Sequence, residues 1–248
     1  MMSINTYRTA EVAAAIGVHP NTIRFYEEQG LLPSIPRLAN GYRVFGETHL
    51  LQVKLIRLAF QAEILSSNLR KSAIDIVKTA ANGNFSHAIE KTENYQTQIK
   101  EEIQKALEAI TLTEAILADP HKADTVFEGD TISRREAAIQ IGVSIDVLRD
   151  WERNGLIEIP RKGNRRKYGV VELDRLKIIA VLRHANYSQM AIRRMLTQLE
   201  QGNINLRAVI DTPEENEDII SVADRYLTSL TLALADTKKM LVILRELR

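Results

Sequence analysis

Glu11-Val12-Ala13-Ala14-Ala15-Ile16-Gly17-Val18 and Glu136-Ala137-Ala138-Ile139-Gln140-Ile141-Gly142-Val143 are one structural phrase written twice, 125 residues apart. The register continues through Arg24/Arg149, Tyr26/Trp151, Glu27/Glu152, Gly30/Gly155 and Leu31/Leu156. A spacing this long exceeds the roughly 20 to 50 residues of a solenoid unit. Each copy is therefore expected to be a small fold of its own.

Within the first copy, Thr9 stands before a run of strong helix formers and is expected to cap a short helix with its hydroxyl. Gly17 breaks that helix. His19 then caps a second one, with Pro20 at the first position, where a missing N–H costs nothing, and Val18 set to staple against Ile23. In the second copy Ser144 takes the place of His19, and Val143 faces Leu148. Gly30 and Gly155 supply left-handed stops. Two short helices around a tight glycine turn predict a helix-turn-helix, whose second helix conventionally enters the major groove.

Asn40-Gly41 is the favoured two-residue hairpin tip, so the segment after Gly30 is expected to form a β-wing carrying Tyr42 and Arg43 on its returning strand. The second copy has Lys162-Gly163-Asn164-Arg165-Arg166-Lys167-Tyr168, two residues shorter, after which the offset is 123. Leu50 to Ile56 and Leu173 to Ile179 are apolar at helical spacing, which predicts a third helix under each wing.

The chain has 248 residues, no cysteine and a net charge of +1. The missing cysteines exclude disulfides, thiolate metal sites and thiol redox switching. Split along the chain, Lys and Arg against Asp and Glu number 8 to 6 over residues 1–75, 5 to 9 over 76–128, 14 to 9 over 129–200 and 6 to 8 over 201–248. The duplicated parts are basic and the segments after them acidic. No apolar signal region or run of about 18 apolar residues is present, so the expectation is a cytoplasmic protein with no membrane partner.

Tyr7, Glu11-Val12-Ala13, Gly17-Val18, Thr22 to Glu27, Gly30-Leu31-Leu32, Pro36-Arg37 and Asn40 to Phe45 together resemble the winged-helix DNA-binding domain of MerR-family transcriptional regulators. The likeness spans residues 5–60, and the second copy is similar to the family more loosely. The second helix then places Asn21, Thr22 and His19 near base edges and Arg24 at phosphate. Tyr42 and Arg43 are similar to the family's backbone-clamping wing residues, and Arg37 stands beside them. Phe25, Tyr26 and Phe45 read as core aromatics, with the Tyr26 hydroxyl as a further phosphate contact.

The second copy departs where bases would be read. Asn21-Thr22 become Asp146-Val147, and Phe25 becomes Asp150. A carboxylate is repelled by phosphate but can accept from cytosine N4. Ser144 and Arg149 keep their places, and the second wing carries the densest basic cluster, Arg161, Lys162, Arg165, Arg166 and Lys167, suited to phosphate neutralisation. Different half-site preferences are expected for the two copies; the competing reading makes the second a partner-binding or degenerate domain.

Two long seams follow. Ile89, Thr92, Gln96, Ile99, Ile103, Ala106, Ile110, Thr113 and Leu117 alternate spacings of three and four, and Ile220, Ala223, Leu227, Leu230, Leu234, Thr237, Leu241 and Leu244 repeat the pattern. The expected fold is mainly α with small β-wings: two winged helix-turn-helix domains, each followed by a long coiled-coil helix, the two helices paired antiparallel. Expected boundaries are 5–83 and 131–203 for the winged domains, 84–118 and 214–248 for the helices, and 119–130 for a linker. That linker reaches only about 45 Å when extended, enough for antiparallel helices within one chain. A single-chain pseudo-dimer is thus the sharper reading, against a homodimer carrying four winged domains.

No catalytic constellation is present. His19, His49, His87, His121 and His184 are scattered, and Asp119, His121 and Asp124 read as a solvated turn, so no metal and no cofactor is expected. Room for a small molecule is expected between winged domains and helices, or around Tyr95 or Tyr226. The function implied is that of a sequence-specific regulator binding double-stranded DNA, with RNA polymerase at the promoter as a further partner. The alternative is an architectural or small-molecule-sequestering protein on the same scaffold.

Overall fold

A computed structural model describes residues 6–61, 67–118, 131–162, 165–201, 205–211 and 225–248. The first unit comprises residues 1–101 with 229–248, and the second residues 102–228, so each takes a stretch of both long helices.

In the first unit, α1 (Thr9–Ile16) and α2 (Pro20–Glu28) form the helix-turn-helix, followed by α3 (Glu47–Gln61) and α4 (Ser67–Ala81). Thr9 is not the cap: it lies inside α1, and Arg8 is the capping position. The Glu11 carboxylate reaches back to accept from the Arg8 N–H at 2.6 Å, which serves the exposed donor from within the helix. Gly17 has φ +71°, and Val18 N–H bonds the Ala13 carbonyl at 3.0 Å. A second such closure ends α2, where Leu31 N–H bonds Tyr26 O at 2.9 Å and Gly30 N–H bonds Glu27 O at 3.0 Å.

Val12, Ala13, Ile23, Phe45, Val53, Leu55 and Ile56 build the buried centre, with Ile76 and Val77 of α4 beneath. Gln52 is buried there, and its amide donates to Leu31 O at 3.0 Å and Val77 O at 2.9 Å. It joins the end of the recognition motif to α4. Phe25 departs from the core reading and is 53% exposed. Ile23 and Tyr26, three apart, share the inward face of α2, and residue 25 falls on the opposite side.

The first wing also differs from expectation. Gly41 N–H bonds Leu38 O at 2.8 Å and Leu38 N–H bonds Tyr42 O at 2.9 Å. The tip is therefore the three residues Ala39-Asn40-Gly41, with only Gly41 at positive φ (+80°), rather than a two-residue Asn-Gly turn, which needs both residues there. At the wing base Tyr7 and Phe45 exchange backbone bonds of 2.8 and 2.9 Å.

The second unit repeats the plan with α6 (Arg134–Ile141), α7 (Ile145–Arg153), β1 (Arg161–Lys162), β2 (Arg165–Arg166), α8 (Val170–His184) and α9 (Gln189–Glu200), then the short α10 (Leu206–Ile210). Ser133 and Glu136 form a reciprocal cap on α6. The two wing strands pair antiparallel, Arg161 with Arg166 and Lys162 with Arg165. Ile132 and Tyr168 exchange the bonds that Tyr7 and Phe45 make in the first copy. Arg175, at the place of Gln52, donates from Nε to Leu156 O at 3.0 Å, the carbonyl equivalent to Leu31. One carbonyl is held in both copies by different side chains.

The long helices are α5 (Phe85–Ala118) and α11 (Tyr226–Leu247). Thr92, Ile99, Ala106, Ile110 and Thr113 of the first seam are buried, while Leu117 is exposed. Ala88, Tyr95 and Ala109 are also buried and widen the seam. On α11, Leu227, Leu230, Thr237 and Leu244 are buried; Ile220 and Ala223, like the 119–130 linker with Asp119, His121 and Asp124, lie outside the described residues. In the first unit Gln96 Nε2 donates to Thr237 Oγ1 at 2.8 Å, and in the second the Tyr226 hydroxyl donates to Glu102 Oε2 at 3.0 Å.

Candidate nucleic-acid interface

The first turn of α2 is built to face outward. His19 Nδ1 accepts from the Asn21 N–H at 3.2 Å, capping the helix. Asn21 and Arg24 are exposed, and Arg24 donates to Asn21 Oδ1 at 3.0 Å; Thr22 is half-buried. In α7, Ser144 Oγ caps the Val147 N–H at 3.2 Å, and Arg149 donates to Asp146 Oδ1 at 2.8 Å. The arginine one turn on thus holds the side chain at the second helical position in both copies. Tyr26 is only 6% exposed, its ring edge-on to Phe60, so the structure places it in the core rather than on this surface.

Glu27 organises the first wing. Arg43 Nε donates to its Oε2 at 2.6 Å, and an Arg37 guanidinium nitrogen lies 3.5 Å from Oε1. Arg43 is thereby folded toward α2, while half of Arg37 stays exposed. Tyr42 is 69% exposed, and its N–H is held by Asn40 Oδ1 at 3.2 Å. Tyr42, Leu38 and Phe25 are large exposed side chains on the wing and on α2. A helical wheel anchored on Ile23 and Tyr26 would have identified Phe25 from sequence.

Glu152, at the place of Glu27, is held differently. Arg134 Nη2 donates to Glu152 Oε2 at 2.8 Å, and the Tyr168 hydroxyl bonds Glu152 Oε1. Burial and the hydrogen bond to Glu152 push the Tyr168 hydroxyl up to about 12. The side chains of Arg161, Lys162, Arg165 and Arg166 lie outside the described residues, although their backbones form the hairpin. Lys167 is half-buried; the hydrogen bonds from Ser133, with the Lys167 charge as a smaller contribution, hold the Glu136 carboxyl below its usual range.

On α7, Arg153 donates to Asp150 Oδ1 at 3.0 Å, and Gln189 Nε2 to Asp150 Oδ2 at 2.9 Å. Those bonds, Gln189 first, hold the Asp150 carboxyl below its usual range. The second recognition helix thus carries two arginines already paired with its own carboxylates. Sequence reading missed this, although the Asp-x-x-Arg spacing at 146/149 and 150/153 was the signal.

Two surface concavities lie apart from these helices. One, of about 530 Å³, sits beside Ile16, Lys54, Arg57, Lys239 and Val242 in the first unit. The other, of about 410 Å³, sits beside Leu117, Val171, Ile178 and Leu196 in the second. Tyr95 keeps its hydroxyl buried, and burial raises it above its usual value. No group of three or more metal-ligating side chains occurs among the described residues, and no described helix is long and apolar enough to cross a membrane.

Residues 8–45 match the family model described as MerR family regulatory protein, and residues 132–199 the model described as MerR HTH family regulatory protein. The chain is 40% identical over 63 residues to the HTH-type transcriptional regulator CueR of Escherichia coli, covering 25% of this chain and 44% of that protein. It is 35% identical over 65 residues to ZntR of Escherichia coli, covering 26% and 46%. The chain therefore spans less than half the length of these curated relatives. A crystal structure of HiNmlR, a MerR family regulator lacking the sensor domain, bound to promoter DNA, aligns with 58% of this chain and 99% of its own at 23% identity and a TM-score of 0.34. Each of the two winged helix-turn-helix domains is thus MerR-like in its own right.

Proposed function

We propose that the chain is a sequence-specific, double-stranded-DNA-binding transcriptional regulator that grips a promoter with two non-identical winged domains. The observation that carries this reading is the repeated surface itself: an exposed, capped first turn of α2 and of α7, each with an arginine one turn on and a basic wing beside it. The names of CueR and ZntR as transcriptional regulators support it. Base edges are read from such a turn, and phosphates are neutralised by the wings. Two domains gripping one duplex also allow twist or bend to be imposed, so that deformation energy sets promoter output and RNA polymerase is the partner that responds.

A single-chain pseudo-dimer is the assembly this reading favours. Bonds such as Gln96 to Thr237 join the two long helices inside one polypeptide, where a homodimer would need a second chain.

Selection of bound sequences from a random duplex pool, using the purified full chain, tests the function. The expected result is a strong site with two dissimilar halves, retained at moderate salt. Uniform, steeply salt-dependent affinity for all duplexes would instead support the architectural protein.

A further inference from the structure

Asn21 and Asp146 occupy the same place in the two copies, second in α2 and second in α7. Both are exposed, and both accept one hydrogen bond from an arginine three residues on, at 3.0 Å from Arg24 and 2.8 Å from Arg149. The arginines orient the two head groups alike, but the groups offer different chemistry. Asn21 keeps an amide N–H₂ donor together with a remaining carbonyl lone pair. Asp146, when ionised, can only accept, and Oδ2 is the oxygen that Arg149 leaves open.

In the major groove adenine presents an acceptor at N7 beside a donor at N6, which the donor-plus-acceptor face of an asparagine matches. Cytosine presents a donor at N4, which a carboxylate accepts, whereas guanine N7 and O6 and thymine O4 are acceptors and repel it. The Arg149 guanidinium 2.8 Å away offsets the Asp146 charge and lessens its repulsion from phosphate.

We infer that Asn21 and Asp146 are specificity-determining residues that make the two half-sites differ at one matched position, adenine opposite Asn21 and cytosine opposite Asp146. This rests on the DNA-binding reading above. The duplication then yields an operator with a direction, because the two domains cannot exchange half-sites without mispairing at that position.

The test uses the full chain as wild type, Asn21→Asp and Asp146→Asn, each selected against the same random duplex pool and then titrated on the resulting operators. Asn21→Asp is expected to turn the adenine into cytosine in one half only, and Asp146→Asn the cytosine into adenine in the other only. Each swap should shift preference between matched operators by about tenfold or more. An unchanged consensus in Asp146→Asn, which removes a negative charge and so cannot lose binding through added repulsion, overturns the inference even if Asn21→Asp binds poorly. A lowered melting temperature for Asp146→Asn with its consensus intact would overturn it as well, reducing Asp146 to a carboxylate at a helix N-terminus. Failure of the wild type to select any sequence defeats the DNA-binding reading itself, which keeps the two failures distinct.

Discussion

Arg43 Nε donates to Glu27 Oε2 across 2.6 Å, tying the returning strand of the first wing to the last turn of the recognition helix. In the second copy Glu152 stands where Glu27 does, yet it is held by Arg134 from the start of α6 and by Tyr168. The acidic residue keeps its place and takes an added cation from the first helix.

Arg43→Ala therefore has two expected consequences. Loss of a partly buried, charge-assisted pair lowers stability by about 1 to 2 kcal/mol, read as a shift in urea midpoint. Affinity for duplex DNA should fall about equally for all sequences, and the slope of log affinity against log salt should become shallower by about one. Affinity left intact across the salt range would remove the wing from the proposed interface.

Gln52 offers a prediction about the core alone. It is 1% exposed and donates to the carbonyls of Leu31 and Val77. Gln52→Leu keeps the volume but removes both bonds; Val77 O keeps its helical bond within α4, so the expected loss comes from the Leu31 carbonyl and is about 1 to 2 kcal/mol. A loss below about 0.5 kcal/mol in equilibrium unfolding would show that the Leu31 carbonyl finds another partner.

The Glu102 cluster predicts a pH dependence for the second unit. Burial works against ionisation of this carboxyl, but hydrogen bonds from Lys105, Tyr226 and Asn186, with the Lys105 charge, outweigh it and hold the group below its usual range. A lowered folded-state value means that the stabilisation is fully present above the unfolded carboxyl's value, about pH 4 to 5, and is lost as pH falls through the folded value. Glu102→Gln should thus lower the melting temperature at pH 7, by the equivalent of about 1 kcal/mol. The gap from wild type should narrow toward pH 3; a gap constant over that range would show that Glu102 acts by packing alone.

The sequence carried the large features because they rest on repetition and periodicity. The duplicated Gly17/Gly142 and Gly30/Gly155 fixed both helix-turn-helix frames, and the three-four spacing from Thr92 to Thr113 marked a buried seam. What it hid were choices among competing local partners. Thr9 was a plausible cap until Glu11 proved to reach the Arg8 N–H, and Asn40-Gly41 suited a two-residue turn until Leu38 bonded both Gly41 and Tyr42. Asp146 and Asp150 read as repulsive to DNA because their pairing with Arg149 and Arg153 depends on side-chain geometry that residue types alone leave open.

The helix pairing yields the last prediction. Gln96 and Thr237 touch through their side chains at 2.8 Å, and the chain has no cysteine of its own, so Gln96→Cys with Thr237→Cys introduces the only two thiols. If α5 pairs with α11 of the same polypeptide, a short bismaleimide should close a loop within one chain. The product would run as a compact monomer of 28.0 kDa, with a yield independent of protein concentration. A homodimer in which α5 of one chain pairs with α11 of another would give a covalent species of twice that mass, and its share would fall on dilution as the chains separate. Predominance of that larger species would replace the pseudo-dimer with an assembly of four winged domains. Its operator would then carry two copies of each half-site rather than one.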